Sequence, residues 1–156
     1  HLGYNLKITD FQAACGLAQL DKLEQFIQSR KDNFNFLKEC LKQSEDFIHL
    51  PQPTKYSDPS WFGFPITLKK NCSANRLDLL NYLAENRIGT RLLFAGNLTR
   101  QPYMVGAKYR ISGNLTNTDI VMNNTFWIGV QPSLNKEMLQ FAASKINNFL
   151  NVIDAK

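Results

Sequence analysis

Ser60-Trp61-Phe62-Gly63-Phe64-Pro65-Ile66-Thr67-Leu68 sets Trp61, Phe62, Phe64 and Ile66 in one short run. Aromatic and β-branched density of this kind predicts a strand, here one buried on both faces. Gly63 inside it leaves room for a neighbouring group to approach the backbone. Downstream, Asn75 is placed to cap a helix carrying Leu77, Leu80 and Leu83 and ending near Asn86. Gly89 then leads into a strand over Thr90 to Phe94. A short helix from about Asn117 precedes another strand, Thr125 to Val130. Pro132 and Asn135 open a final amphipathic helix whose apolar positions are Met138, Leu139, Ala142, Ile146, Phe149, Leu150 and Ile153.

Upstream, Asp46 to Leu50 is a strand candidate closed by Pro51 and Pro53, with a loop over 52–59. Ile8-Thr9-Asp10-Phe11-Gln12 reads as a helix start with a capping box between Thr9 and Gln12. Phe11, Ala14, Cys15, Ala18 and Leu20 follow as its apolar stripe. Leu23, Phe26, Ile27, Phe34, Leu37 and Leu41 continue the period, in one bent helix or in two helices meeting near Asp21. Strands interleaved with helices give an α/β class: a small sheet with helices packed mainly on one face, preceded by a long helical segment. The division expected is 1–43 as linker helices and 44–156 as the α/β sandwich.

The chain has 156 residues, a length suited to one domain, and 12% aromatic residues supply ample core. Eighteen basic against thirteen acidic side chains leave +5, which favours anionic partners without selecting among them. No apolar run nears the roughly 18 residues of a spanning helix. Cys15, Cys40 and Cys72 are too far apart for a cluster or zinc motif, and two of them lie on apolar stripes; a reducing cytoplasm is the expected setting. Sequons at Asn71, Asn97, Asn114 and Asn123 are read as chance matches in an Asn-rich chain.

A self-contained enzyme needs a nucleophile, a base or a metal, and the inventory here is thin. His1 is terminal, and His49 within its strand has no obvious partner. Walker, G-x-S-x-G, G-x-G-x-x-G and H-E-x-x-H motifs are all missing. What remains are polar groups in Gly-flanked segments. Asn5 precedes a helix start, a location suited to phosphate. Arg91, Arg100, Lys108 and Arg110 surround the irregular 95–117 segment, where long loops are disproportionately functional. The chain therefore reads as a contributor to a site rather than its owner.

Gly3-Tyr4-Asn5-Leu6-Lys7-Ile8-Thr9-Asp10-Phe11-Gln12-Ala13-Ala14 closely resembles the G-x-N-x-[RK]-x-[ST]-[DE]-x-Q-A-A segment of the DegT/StrS sugar aminotransferase and dehydratase family. Ser57 to Pro65, Gly89 to Pro102, Asn117-Thr118-Asp119 and Phe126 to Gly129 look like its branch of 3-dehydrases acting on a CDP-4-keto-6-deoxyhexose. The resemblance implies the C-terminal small domain of a fold-type-I enzyme dependent on pyridoxal or pyridoxamine phosphate, in 3,6-dideoxyhexose and lipopolysaccharide O-antigen synthesis. It also implies that the large cofactor domain, the residue holding the cofactor and the cysteines of a 2Fe-2S cluster all lie upstream of these residues.

Carried over residue by residue, the resemblance makes Asn5 a donor to the cofactor phosphate of the neighbouring subunit, hence a homodimer. Phe62 stands where sugar aminotransferases commonly have His, so an apolar ring becomes an active-site wall suited to dehydration. Arg91, Asn97 and Arg100 are expected to contact the nucleotide diphosphate of a keto sugar. No cofactor or metal is expected to be held by this segment alone, a separate reductase is the expected electron donor, and neither nucleic acid nor membrane is an expected partner. Two other readings stand beside it: a nucleotide-sugar aminotransferase of the same family, and a basic nucleic-acid or partner-binding module.

Overall fold

The computed structural model describes residues 6–154. Helix α1 (Asp10–Leu20) begins at the expected capping box: the Thr9 amide donates to Gln12 Oε1 at 2.9 Å and the Gln12 amide donates to Thr9 Oγ1 at 3.3 Å. A break at Asp21 and Lys22 separates it from α2 (Leu23–Leu41), so the long helical stretch is two helices. The stripe assigned to α1 is not core. None of its residues is buried among the described residues, with Phe11 88% exposed and Cys15 open to solvent. Periodicity reports that a helix has an apolar side, and says nothing about which surface covers it. By contrast α2 drives Phe34, Leu37 and Leu41 into the core.

Four strands form an antiparallel sheet in the order β1-β2-β4-β3: β1 (Ile48–His49), β2 (Gly63–Leu68), β3 (Thr90–Leu92) and β4 (Thr125–Gly129). Helices α2, α3 (Arg76–Glu85) and α5 (Lys136–Asp154) pack on one face, with α5 between the other two. Phe64, Ile66 and Leu68 of β2 meet Phe126 and Ile128 of β4 there, beneath Leu79, Leu83, Leu139, Ile146 and Leu150. This is the α/β arrangement the sequence predicts.

Several boundaries and faces differ. β1 is two residues long rather than five, and β2 starts at Gly63. β2 alternates buried with half-buried positions, so only one of its faces is core, as expected of an antiparallel sheet layered with helices on one side. In α3 the buried leucines are Leu79 and Leu83, whereas Leu77 is 59% exposed; α5 leaves Met138 54% exposed. β3 stops at Leu92 because the chain turns sharply at Phe94, whose φ is +50°.

Polar groups inside are partnered. Ser44 Oγ donates to Asn147 Oδ1 at 2.6 Å, and Asn147 Nδ2 donates to the Cys40 carbonyl at 2.9 Å, joining α2 to α5. Burial, with Glu39 adding to it, pushes the Cys40 thiol up from its ordinary value. The Asn75 cap forms as expected, its Oδ1 accepting from the Leu77 amide at 2.8 Å. Asn75→Ala removes an acceptor from the first turn of α3. It should cost about 1 kcal/mol and speed amide hydrogen exchange at Leu77 and Asp78 relative to Leu83. No described helix is long and apolar enough to cross a membrane.

Candidate functional site

Antiparallel partners share a sheet face, so the register Arg91↔Trp127↔Pro65 sets Arg91 and Trp127 side by side on the face away from the helices. The Phe62 ring lies against Trp127, centroids 5.1 Å apart and tilted by 55°, and remains 68% exposed. Trp127 Nε1 donates to the Leu92 carbonyl at 3.3 Å, fixing the indole over the β3 edge. From the helical side, Arg30 Nη1 donates to the Trp61 and Phe62 carbonyls at 3.2 and 3.4 Å and holds the entry to β2. Gly63 is the residue that admits this arrangement: a Cβ there would overlap the indole ring. Phe62 is thus an exposed ring braced by Trp127, while Trp61 stacks inward on Phe34.

Beyond β3 the chain turns at Phe94 and at Gly96, whose φ is +63° and whose missing side chain lets Met122 of α4 (Thr116–Asn124) close in. Asn97 is 2% exposed, and both polar atoms of its side chain have partners. Its Oδ1 accepts from the Thr99 amide at 3.1 Å and the Thr99 hydroxyl at 2.7 Å, and its Nδ2 donates to Asp119 Oδ1 at 2.7 Å. Arg100 grips the same carboxylate, Nε to Oδ1 at 3.3 Å and Nη2 to Oδ2 at 2.8 Å. The bond to Arg100, then that to Asn97, holds the Asp119 carboxyl below its ordinary range, and the carboxylate raises the guanidinium's affinity for its proton. A groove of about 470 Å³ opens beside this cluster, lined among others by Arg100, Tyr109, Asn114 and Asp119.

The structure therefore sorts the sequence-chosen residues into two groups. Asn97 and Arg100 meet at Asp119, whereas Phe62 and Arg91 flank Trp127. Asn5 lies outside the described residues. Arg100 is paired with Asp119, and both polar atoms of the Asn97 side chain have partners in this arrangement. Asp119 and Trp127 were both missed as site residues. Alternation in Thr125–Gly129 carried the signal for Trp127: with Phe126 and Ile128 inward, Trp127 must face outward.

Chemically, the two groups offer cations, an amide cluster and an aromatic wall, which suit an anionic ligand with a flat or apolar portion. Among the described residues, no three His, Cys, Asp or Glu gather as a metal site, and neither His nor Lys lines the groove. A larger cavity of about 650 Å³, bounded by Ile88, Leu134, Met138 and Phe141, lies against α5 and includes none of the predicted residues.

The profile of the DegT/DnrJ/EryC1/StrS aminotransferase family matches residues 1–147. The lipopolysaccharide biosynthesis protein RfbH of Salmonella typhimurium is 58% identical over 97% of this chain and 35% of its own length. The dTDP-4-dehydro-2,6-dideoxy-D-glucose 3-dehydratase of Saccharopolyspora spinosa is 45% identical over 96% of this chain and 32% of its own length. Among solved structures, the E. coli GDP-4-keto-6-deoxy-D-mannose-3-dehydratase with bound hydrated PLP superposes with a TM-score of 0.84 at 24% identity, over 94% of this chain and 37% of that one. The chain thus spans about a third of the length of these relatives. On the family match and these identities together, the chain belongs to the DegT/DnrJ/EryC1/StrS aminotransferase family.

Proposed function

We propose that these residues are the small domain of a nucleotide-sugar 3-dehydratase dependent on pyridoxal or pyridoxamine phosphate. The protein would remove the C3 hydroxyl of a nucleotide-linked 4-keto-6-deoxyhexose on the way to a lipopolysaccharide O-antigen sugar. The observation that carries this reading is the 45% identity to a named 3-dehydratase across 96% of the chain. The 58% identity to RfbH supports the lipopolysaccharide context.

The cofactor would act as an electron sink. The groove has one cation, Arg100, paired with Asp119, two asparagine amides, and no lysine or histidine in its lining. In this reading Asn5 reaches the cofactor phosphate of a second subunit, and the remaining cofactor residues, with a 2Fe-2S cluster, belong to the upstream large domain. A separate reductase supplies electrons in the cytoplasm.

The described residues contribute position and exclusion. Arg91 and Arg100 face the nucleotide diphosphate, and Asn97 shapes the loop that presents Arg100. Phe62, braced by Trp127, gives an apolar wall that neither donates nor accepts a proton and keeps water off the reacting carbon.

An aminotransferase reading has its own support in the 27% identity to the GDP-perosamine synthase of Escherichia coli O157:H7 over 95% of the chain. One assay separates the two. The full-length protein, given CDP-, dTDP- and GDP-linked 4-keto-6-deoxyhexoses together with an electron-donating reductase and its reduced nicotinamide, should yield a 3-deoxy product lighter by one oxygen atom, the hydroxyl leaving as water and two electrons and two protons taking its place, without consuming an amino donor. A glutamate-dependent amino sugar would establish the alternative. Borohydride reduction followed by peptide mapping should place no pyridoxyl-lysine within residues 1–156, and a labelled lysine here would overturn the assignment of the cofactor to the upstream domain.

A further inference from the structure

We infer that Asp119 is a positioning residue that aims Arg100 at the diphosphate of the nucleotide sugar, an inference resting on the function proposed above. One carboxylate holds two partners from a single short loop. It takes Nε and Nη2 of Arg100 in a two-point grip and accepts from Asn97 Nδ2 at 2.7 Å. Asn97 in turn caps the turn Leu98–Arg100. The loop after β3 is thereby fastened to α4 at Asp119 and, through the close approach of Gly96 to Met122, at a second point.

Guanidinium carries five N–H donors in a fixed plane. Asp119 occupies two of them, and Nη1 has no partner among the described residues. The side chain of Arg100 is 62% exposed and lines the 470 Å³ groove, and its Nη1/Nη2 end, next to the edge that Asp119 holds, is left unpaired among the described residues. That end has the parallel N–H pair which phosphate oxygens accept in bidentate fashion. Pairing with Asp119 cancels the long-range pull of Arg100, so its value lies in direction: a side chain already fixed loses less freedom when the ligand arrives. Attraction over distance falls to Arg91, Lys108 and Arg110, all exposed.

A carboxylate that merely fastens the loop would affect stability and leave nucleotide recognition alone, which separates the two roles. In the full-length protein, Asp119→Asn keeps the shape but turns one acceptor into an NH2 group that cannot accept from the guanidinium. KM for the nucleotide sugar should rise about tenfold with kcat within about twofold, the lower end of what losing a charge-assisted contact implies. The dissociation constants of CDP, dTDP and GDP, measured by calorimetry, should show that rise for the nucleotide the protein prefers. Arg100→Lys leaves the Asn97–Asp119 bond in place and removes the fork, and should reproduce the loss. The double variant should be no worse than either single one, and Asp119→Glu should recover part of the affinity.

Unchanged nucleotide affinity in Arg100→Lys overturns the inference, as does an Asp119→Asn protein that melts earlier yet binds normally. Either can occur in an active dehydratase, which leaves the proposed function standing. An inactive parent protein that still binds nucleotide through Arg100 and Asp119 reverses that outcome.

Discussion

Phe34→Ala is expected to destabilise the small-domain unit by about 3–5 kcal/mol. The ring is 2% exposed and stacks on Trp61 with centroids 4.1 Å apart and planes within 2°, while Phe64 closes on it at 4.8 Å. Phe34 is thus the contact through which α2 meets the start of β2. Truncation removes an aromatic's transfer energy and leaves a cavity between a helix and a strand whose backbones are both pinned. Arg30 holds the 61–62 carbonyls four residues earlier on α2, and Asn33 Nδ2 donates to the Gln131 carbonyl at 3.0 Å. These bonds limit how far the walls can collapse, which places the cost above the smaller values seen where a site relaxes. Denaturant unfolding of the full-length protein, followed by Trp61 fluorescence, should show the midpoint falling with the slope unchanged. A loss below about 1 kcal/mol would mean that the ring is not part of the core.

How much of this was legible beforehand depends on the range of the interaction that decides each feature. Thr9, Asn75 and Asn135 cap their helices as the sequence predicts because a cap is settled within three residues; Asn135 Oδ1 accepts from the Met138 amide at 2.9 Å. The strands Gly63–Leu68 and Thr125–Gly129 were legible from composition for the same reason. Helix α3 shows the limit. Leu77, Leu79, Leu80 and Leu83 lie on two overlapping stripes, and only the position of the sheet beneath the helix selects Leu79 and Leu83. The outward stripe of α1 was invisible in kind, since apolar spacing cannot distinguish a covered face from an open one.

The same division runs through the site. Asn97 followed by Thr99 is a local turn signal, so its hydrogen bonds to Thr99 are legible in the sequence. Arg100 and Asp119 lie 19 residues apart in the chain, and no local rule pairs them. Charge counting therefore does not show that the fold pairs this cation with a carboxylate. Asp119 stands in the sequence only as part of a motif match, which marks a residue without saying what it touches. Function was legible almost entirely through resemblance, because none of the catalytic motifs that sequence spacing can reveal is present.

Gly63→Val should disrupt the open face more than its single-residue size suggests. Gly63 pairs with Gly129 across β2 and β4, and the indole of Trp127, two positions along the register, leans into the space that Gly63 leaves. A side chain at 63 meets atoms of the fused ring, not the free end of a flexible chain, so the indole must leave as a unit. In doing so it gives up its bond to the Leu92 carbonyl and its contact with Phe62. Overpacking of this kind costs about 1–3 kcal/mol, and valine's two methyl groups place it at the upper end with alanine below it. In a Trp61→Phe background Trp127 is the remaining tryptophan of the chain's two, and its emission should shift to the red as the ring enters water. The decisive comparison is the double variant Gly63→Val with Trp127→Ala. If collision with the indole is the cause, removing the indole relieves it, and the double variant unfolds at a higher denaturant concentration than Gly63→Val alone. Equal or greater instability in the double variant would assign the glycine to backbone freedom in β2 instead, and the Phe62–Trp127 wall would no longer depend on it.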